Sequence, residues 1–332
     1  MKPQKSLGQH WLKDPDILGK IADYADLTPD DTVLEIGPGL GTLTAVLAQK
    51  AGKVIAVEFD KELARKLASN FSQPVAKSRH NLVNHPLDSS QELTSFKHPS
   101  TIQDSGLQNY SDFAKVSPNL NQVSDNNSDS SEFSSNAEQI PSVIVFHQDF
   151  LQFDLSQLPA GYKVVANIPY YITGKIIEKL LKSKNKPSVA VLLVQKEVAE
   201  RITAKPGGDM SLLSVVAQYY ADIELGIIVP AGKFTPPPKV DSQTIILRPK
   251  HIRSDLIYEK SLFRIVKAGF SQRRKKLRTS LAGGLNVSVK EAEKLLKSAN
   301  INPNLRAQDL MIKQWSDILK AQKKGNQDGK NF

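Results

Sequence analysis

The chain has 332 residues, 40% of them hydrophobic, no cysteine, and a formal net charge of +10 at neutral pH. That length allows one large and one small domain with separate cores, and the missing thiols exclude disulfides and thiolate-held metals. The longest apolar run, Val189 to Val194, is far short of the roughly 20 residues of a membrane span, and the polar start Met1-Lys2-Pro3-Gln4-Lys5 lacks a secretory apolar region. These features lead us to expect a cytoplasmic protein with no membrane partner and no metal.

The charge is unevenly spread. Residues 251–332 carry 18 Lys and Arg against 7 Asp and Glu, an excess that attracts polyphosphate and points to nucleic acid.

In chain order, Lys2 to Lys13 form an irregular arm containing Gly8-Gln9-His10-Trp11-Leu12. Asp14-Pro15 has the form of a helix start, with Asp as N-cap and Pro in the first turn. Thr32 to Ile36 predicts a strand, broken by Gly37-Pro38-Gly39-Leu40-Gly41 and followed by a helix over Thr42 to Gln49. A second strand, Val54 to Val57, ends at Glu58, and Lys61 to Phe71 is helical, which completes a βαβ unit of a parallel sheet.

The pattern then stops. Residues 77–140 hold 14 Ser, 8 Asn and 5 Gln without periodicity, a composition that cannot bury enough surface to offset chain entropy, so a disordered insertion is expected. His80, His85 and His98 fall inside it, at spacings that match no tight metal site.

The sheet resumes with Val143 to Phe146, closed by His147-Gln148-Asp149, and then Val164 to Ala166 leading into Asn167-Ile168-Pro169-Tyr170. Helices over Gly174–Lys182, Glu197–Thr203 and 211–219 and strands over Val189–Gln195, Ile223–Val229 and 243–248 continue the alternation. Phe234-Thr235-Pro236-Pro237-Pro238-Lys239-Val240-Asp241-Ser242 separates the last two strands. After Pro249 only helices are expected: an apolar stripe of Leu262, Val266, Phe270, Leu277 and Leu281 has Arg273, Arg274, Lys275, Lys276 and Arg278 crowded beside it, and further helices lie near 288–299 and 306–322.

The chemistry gathers at strand ends, where open α/β sheets bind ligands. The glycines of Glu35-x-Gly37-x-Gly39-x-Gly41 are spaced two and two, unlike the G-x-G-x-x-G of dinucleotide binders, and suit an adenosyl ligand with an amino-acid tail. Glu58 can accept ribose hydroxyls, and Asp149 an adenine amino group. Asn167 and the Ile168 carbonyl can accept hydrogen bonds from an amino group, and the Tyr170 ring can stack on a flat base. Each feature alone has a plainer reading: a turn for Asn167 to Tyr170, a solvated carboxylate for each acid, a core aromatic for Phe234, a solvated face for the basic cluster.

Taken together, the motifs resemble the class I S-adenosylmethionine-dependent methyltransferases and, among them, the ribosomal RNA adenine N6-dimethyltransferases. Gly8 to Leu12 resembles that family's GQxFL arm, with Trp11 in place of Phe; Glu35 to Gly41 its EIGPGxG loop; Asn167 to Tyr170 its N-[LI]-P-Y signature. Phe234 to Ser242 and Phe270 to Arg278, taken as helical, resemble its two carboxyl-side signatures. Phe146 to Phe150 resembles its xxGDxL segment, with Gln148 in place of Gly and the insertion lengthening the approach to Asp149.

The resemblance implies a Rossmann-like α/β domain over 1–250, carrying the insertion 77–140, a basic helical RNA-binding domain over 251–322 and a frayed tail over 323–332. It implies S-adenosylmethionine held by His10, Leu12, Gly37, Glu58, Asp149 and Asn167. The target adenine would meet Asn167, Ile168, Pro169, Tyr170 and Phe234, and RNA phosphates would meet Arg273, Arg274, Lys275, Lys276 and Arg278. The implied reaction is dimethylation, by a monomer acting on the pre-30S particle, of N6 on two adjacent adenines near the 3′ end of small-subunit (16S) rRNA. The alternatives are a large-subunit rRNA methyltransferase of the macrolide-resistance type and an assembly factor whose catalysis is dispensable.

Overall fold

The computed structural model describes residues 9–71, 142–252 and 255–327. The expected insertion with its three histidines, the start of the arm and the end of the tail lie outside the described residues.

Chain order gives β1 (Trp11–Leu12), α1 (Pro15–Asp23), β2 (Thr32–Ile36), α2 (Thr42–Lys50), β3 (Lys53–Glu58) and α3 (Lys61–Phe71). Asp14 caps α1 as expected, its carboxylate accepting the Ile17 N–H at 3.2 Å with Pro15 in the first turn. There follow β4 (Ser142–His147), β5 (Lys163–Asn167), α4 (Thr173–Lys182), β6 (Val189–Gln195), α5 (Lys196–Thr203), α6 (Leu212–Tyr220), β7 (Ala221–Val229), β8 (Phe234–Thr235) and β9 (Ser242–Pro249).

Seven of these strands form one sheet in the order β4-β3-β2-β5-β6-β9-β7. The first five are parallel, while β9 runs antiparallel to both β6 and β7. This is the mostly parallel α/β sheet that the alternation of elements predicts. Leu34, Val164, Val191 and Leu192 are fully buried because helices cover both faces, which is why these strands read as continuous apolar runs. The strand order reverses between β2 and β5, so their carboxyl ends diverge and open a crevice at the sheet edge.

The long interruption does not displace β4. Six consecutive residues pair with β3, from Lys53 opposite Ser142 to Glu58 opposite His147, so Asp149 emerges beside Glu58. The two-residue strands β1 and β8 pair antiparallel, Leu12 opposite Phe234, and they join the amino-terminal arm to the proline-rich loop.

The helices after the sheet are α7 (Leu256–Phe270), α8 (Leu277–Leu285), α9 (Val289–Ser298) and α10 (Ile312–Gln327). Leu262, Val266, Leu281 and Trp315 share one apolar cluster with Val164 and Leu192 of the sheet. One expectation is corrected here: Arg273 to Lys276 are not helical, and of the basic cluster only Arg278 lies in a helix, α8. Residues 271–276 form an exposed turn between α7 and α8. The N–H of Leu277 donates at 2.6 Å to the Leu305 carbonyl instead of continuing α7, and the Ser271 hydroxyl donates to the Ala268 carbonyl at the helix end. A continuous helix would also set Arg274 and Arg278 one turn apart, where like charges repel.

Candidate active site

The crevice is built first from glycine. Gly37, Gly39 and Gly41 have φ of 66°, 57° and 80°, the left-handed region that other residues enter only at a cost. At Gly39 a side chain would also press on the Trp11 ring, 3.3 Å away, and at Gly41 on Leu67, 2.3 Å away. The tight loop lets backbone N–H groups point inward: Gly37 N–H donates to the Val57 carbonyl at 2.9 Å and Gly39 N–H to the Glu58 carboxylate at 3.0 Å.

Two buried carboxyl groups lie behind this loop. Glu35 is 1% exposed and accepts the Thr44 hydroxyl at 2.6 Å. Desolvation pushes its pKa up to about 8, with the Glu58 charge adding to the rise and the Thr44 bond opposing it. Burial also raises Glu58, against the N–H groups of Asp60 and Gly39 that favour its charged form. Asp149 is half-buried and accepts the Leu151 N–H at 2.8 Å. Lys179 fastens that turn by donating to the Leu151 carbonyl at 2.9 Å while its ammonium lies 5.4 Å over the Phe150 ring.

The opposite wall is the turn after β5. The Asn167 side chain faces the His10 carbonyl at 3.1 Å. A carbonyl can only accept, so the amide nitrogen is the group turned to it and the amide oxygen is turned away. The His10 ring donates from Nδ1 to the Pro236 carbonyl at 2.8 Å and stacks on Tyr170, with centroids 5.6 Å apart and planes 17° from parallel. The Tyr170 hydroxyl bonds Ser242 at 2.6 Å. Thr42 donates to the Leu12 carbonyl at 2.8 Å. Arm, glycine loop, Asn167 turn and proline-rich loop are thereby tied into one wall.

A single cavity is lined by His10, Leu12, Gly37, Glu58, Asp149 and Asn167, together with Ile168, Pro169 and Tyr170. Phe234 is not in that lining. It is 3% exposed and packed in the core beneath the arm with Leu12 and Val229; the β1–β8 pairing turns its ring inward, so it offers no face to a base. The basic cluster also lies apart from the cavity. Arg273 pairs with Asp209 at 3.1 Å and Arg278 with Glu293 at 3.6 Å, and among the described residues Arg274 and Lys275 have no carboxylate partner.

Residue-type reasoning overlooked Glu35 and Trp11 as cavity-lining side chains and Ser242 as the anchor of Tyr170. The signal for each lay inside a motif, but their roles depend on pairings across the fold. Among the described residues no helix is long and apolar enough to cross a membrane.

Residues 1–95 and 129–324 match the family model for ribosomal RNA adenine dimethylase. The chain belongs to this family. Among its relatives is the ribosomal RNA small subunit methyltransferase A of Dehalococcoides mccartyi strain CBDB1, 35% identical over 323 residues covering 96% of this chain and 88% of the relative. The enzyme of the same name from Nostoc sp. is 35% identical over 95% of this chain and 96% of its own. In fold, the dimethylase resembles a crystal structure of a dimethyladenosine transferase from Plasmodium falciparum, with TM-score 0.63, 22% identity and coverage of 96% and 98% of the two chains. It also resembles the 23S rRNA methyltransferase ErmE, with TM-score 0.58, 22% identity and coverage of 94% and 98%.

The methyl donor of the family is S-adenosylmethionine, and the cavity suits it. Glu58 is a buried acceptor at the end of the second parallel strand, Asp149 an acceptor beside it, and the left-handed glycines bring backbone against the remaining length of the crevice.

Proposed function

We propose that this dimethylase converts two adjacent adenines near the 3′ end of small-subunit (16S) rRNA to N6,N6-dimethyladenosine, acting as a cytoplasmic monomer on the pre-30S particle. The shared name of the relatives at 35% identity supports the small subunit over the large one; the two structural likenesses do not discriminate, because one of them is a 23S rRNA enzyme.

The observation that carries the mechanism is the orientation of Asn167. With its amide nitrogen held by the His10 carbonyl, its oxygen is fixed as an acceptor in the same cavity as Glu58 and Asp149. We assign the ribose to Glu58, the cofactor adenine to Asp149, the methionine portion to Gly37 and the backbone of His10 and Leu12. Bound there, the cofactor supplies an electrophilic methyl group.

The target base must leave its stack to enter the cavity. The Asn167 oxygen and the Ile168 carbonyl accept hydrogen bonds from its amino group, which draws electron density onto the nitrogen. Pro169 keeps that turn rigid, and the Tyr170 ring, locked by His10 and Ser242, bounds the slot for the base. The proton becomes acidic only as the nitrogen gains positive charge, so no strong base is needed beforehand and catalysis comes from position and electrostatics. The exposed turn at 271–276 grips RNA phosphates and orients the substrate.

Tritiated methyl incorporation into small subunits from a methylation-deficient strain tests this reading. Asn167→Ala should lower incorporation by at least about a hundredfold, the cost of removing one aimed polar group from a reacting centre, while particle binding persists. Retained transfer would refute the role of Asn167, and transfer only to large subunits would overturn the choice of substrate.

A further inference from the structure

Among the described residues only two Phe, Tyr or Trp side chains are exposed, Phe59 at 59% and Tyr171 at 64%. Both line the cavity described above. Phe59 directly follows Glu58 at the end of β3. Tyr171 directly follows Tyr170 in the turn after β5, on the Asn167 side. The difference between the neighbouring tyrosines is informative. Tyr170 is half-buried, with its ring on His10 and its hydroxyl on Ser242, whereas Tyr171 makes no hydrogen bond or ring contact with any described residue and presents its ring to solvent. Packing does not require an aromatic at this position. A rigid ring with an open face at the mouth of a slot for a flipped base suits a second flat, unpaired group.

The substrate supplies such a group. When one of two adjacent adenines occupies the cavity, its neighbour is held at the mouth by the covalent backbone, already pulled from its stack. We propose that Tyr171 stacks on the unpaired base next to the target adenine and so holds the RNA in register while the target amino group meets Asn167. The assignment rests on the function proposed above and adds a base-contacting residue at the mouth of the cavity. Stacking of this kind persists through the reaction, because the neighbouring base does not change as the methyl moves. Its loss therefore raises KM and leaves kcat at saturating substrate unaltered.

The test compares Tyr171→Ala, Tyr171→Leu and Tyr171→Phe with the unaltered enzyme on small subunits from a methylation-deficient strain. It measures KM and kcat, the Kd for the particle without cofactor, and the Kd for S-adenosylhomocysteine. Ala and Leu should each raise KM and particle Kd by roughly five- to a hundredfold, the scale of one base stacked on an aromatic ring. Phe should restore both, and S-adenosylhomocysteine binding should not change in any variant. Leu as a second variant separates ring stacking from bulk. Unchanged particle Kd in Ala, full retention by Leu, or a matching loss of S-adenosylhomocysteine affinity would each overturn the proposal. An unaltered enzyme that transfers nothing to these particles would instead remove the proposed function, and this assignment with it.

Discussion

Glu35 carries a consequence for stability that can be worked through with its sign. Its carboxyl is buried, and its pKa rises from 4.5 in the ordinary case to about 8. Below about pH 4.5 folded and unfolded chains both hold the proton, and the group is neutral to folding. As pH rises towards 8 the unfolded chain ionises while the folded one keeps its proton, so stability falls across that window and levels off above it. The fall is on the order of 3–5 kcal/mol for a shift this large. Glu35→Gln keeps an oxygen to accept the Thr44 hydroxyl and removes the titration. In urea unfolding of the cofactor-free protein, the variant should gain on the parent steadily from pH 5 to pH 8.5, and a gap that does not widen would show that Glu35 ionises normally in the fold. None of this could be read from the residue in sequence. Glu35 was legible there as the head of a glycine loop, but its burial depends on α2 supplying Thr44 and on β3 bringing a second carboxylate beside it. The amide of Asn167 is a similar case: its residue type is legible, and its orientation is set by a carbonyl 157 positions away.

Element by element, regular strands and helices were legible wherever a single period ran through them, and their observed bounds lie within a few residues of expectation except in the last helix, expected over 306–322 and observed over Ile312–Gln327, where it continues into the segment expected to fray. The failures came from contacts. The strands β1 and β8 are two residues long and carry no period, so the ribbon that closes the arm over the crevice became visible only through its partner. The turn at 271–276 interrupts an apolar stripe whose spacing suits one helix, because Leu305 takes the N–H that would continue it. The long interruption before β4 had the opposite outcome. Spacing in sequence gave reason to question Asp149, yet six paired residues with β3, the Leu151 N–H and the Lys179 contact fix it beside Glu58. In a β3-α3-β4 crossover the helix returns to the edge where the next strand begins, and a connection of about six residues ordinarily suffices. Replacing residues 72–141 by a Gly/Ser linker of about that length should therefore leave the Kd for S-adenosylhomocysteine within about twofold, measured by titration calorimetry. A tenfold weakening would mean that the segment helps to form the site.

At the scale of the whole molecule, the α/β class followed from the alternation of elements, and the basic last quarter was visible in composition alone. What composition could not give is how that charge is committed. Arg273 faces Asp209 and Arg278 faces Glu293, while Arg274 and Lys275 face solvent in the same exposed turn. Charges already paired within the protein release fewer counterions when RNA binds, so the unpaired cations should dominate the salt dependence. Replacing Arg273, Arg274 and Lys275 by Ala removes three cations, one of them already shared with Asp209. The slope of log K against log salt for binding to small subunits should become shallower by roughly two. The same reasoning makes the loss of affinity largest at low salt and smaller as salt rises, because added ions erase the advantage that the parent enzyme draws from counterion release. Binding isotherms between about 50 and 200 mM salt read the slope directly. Since the turn lies outside the cavity lining, kcat at saturating particle should stay unaltered. Parallel lines for parent and variant would show that these cations make no phosphate contact, and a fall in kcat without a change in slope would place the turn's role in folding or catalysis instead of grip.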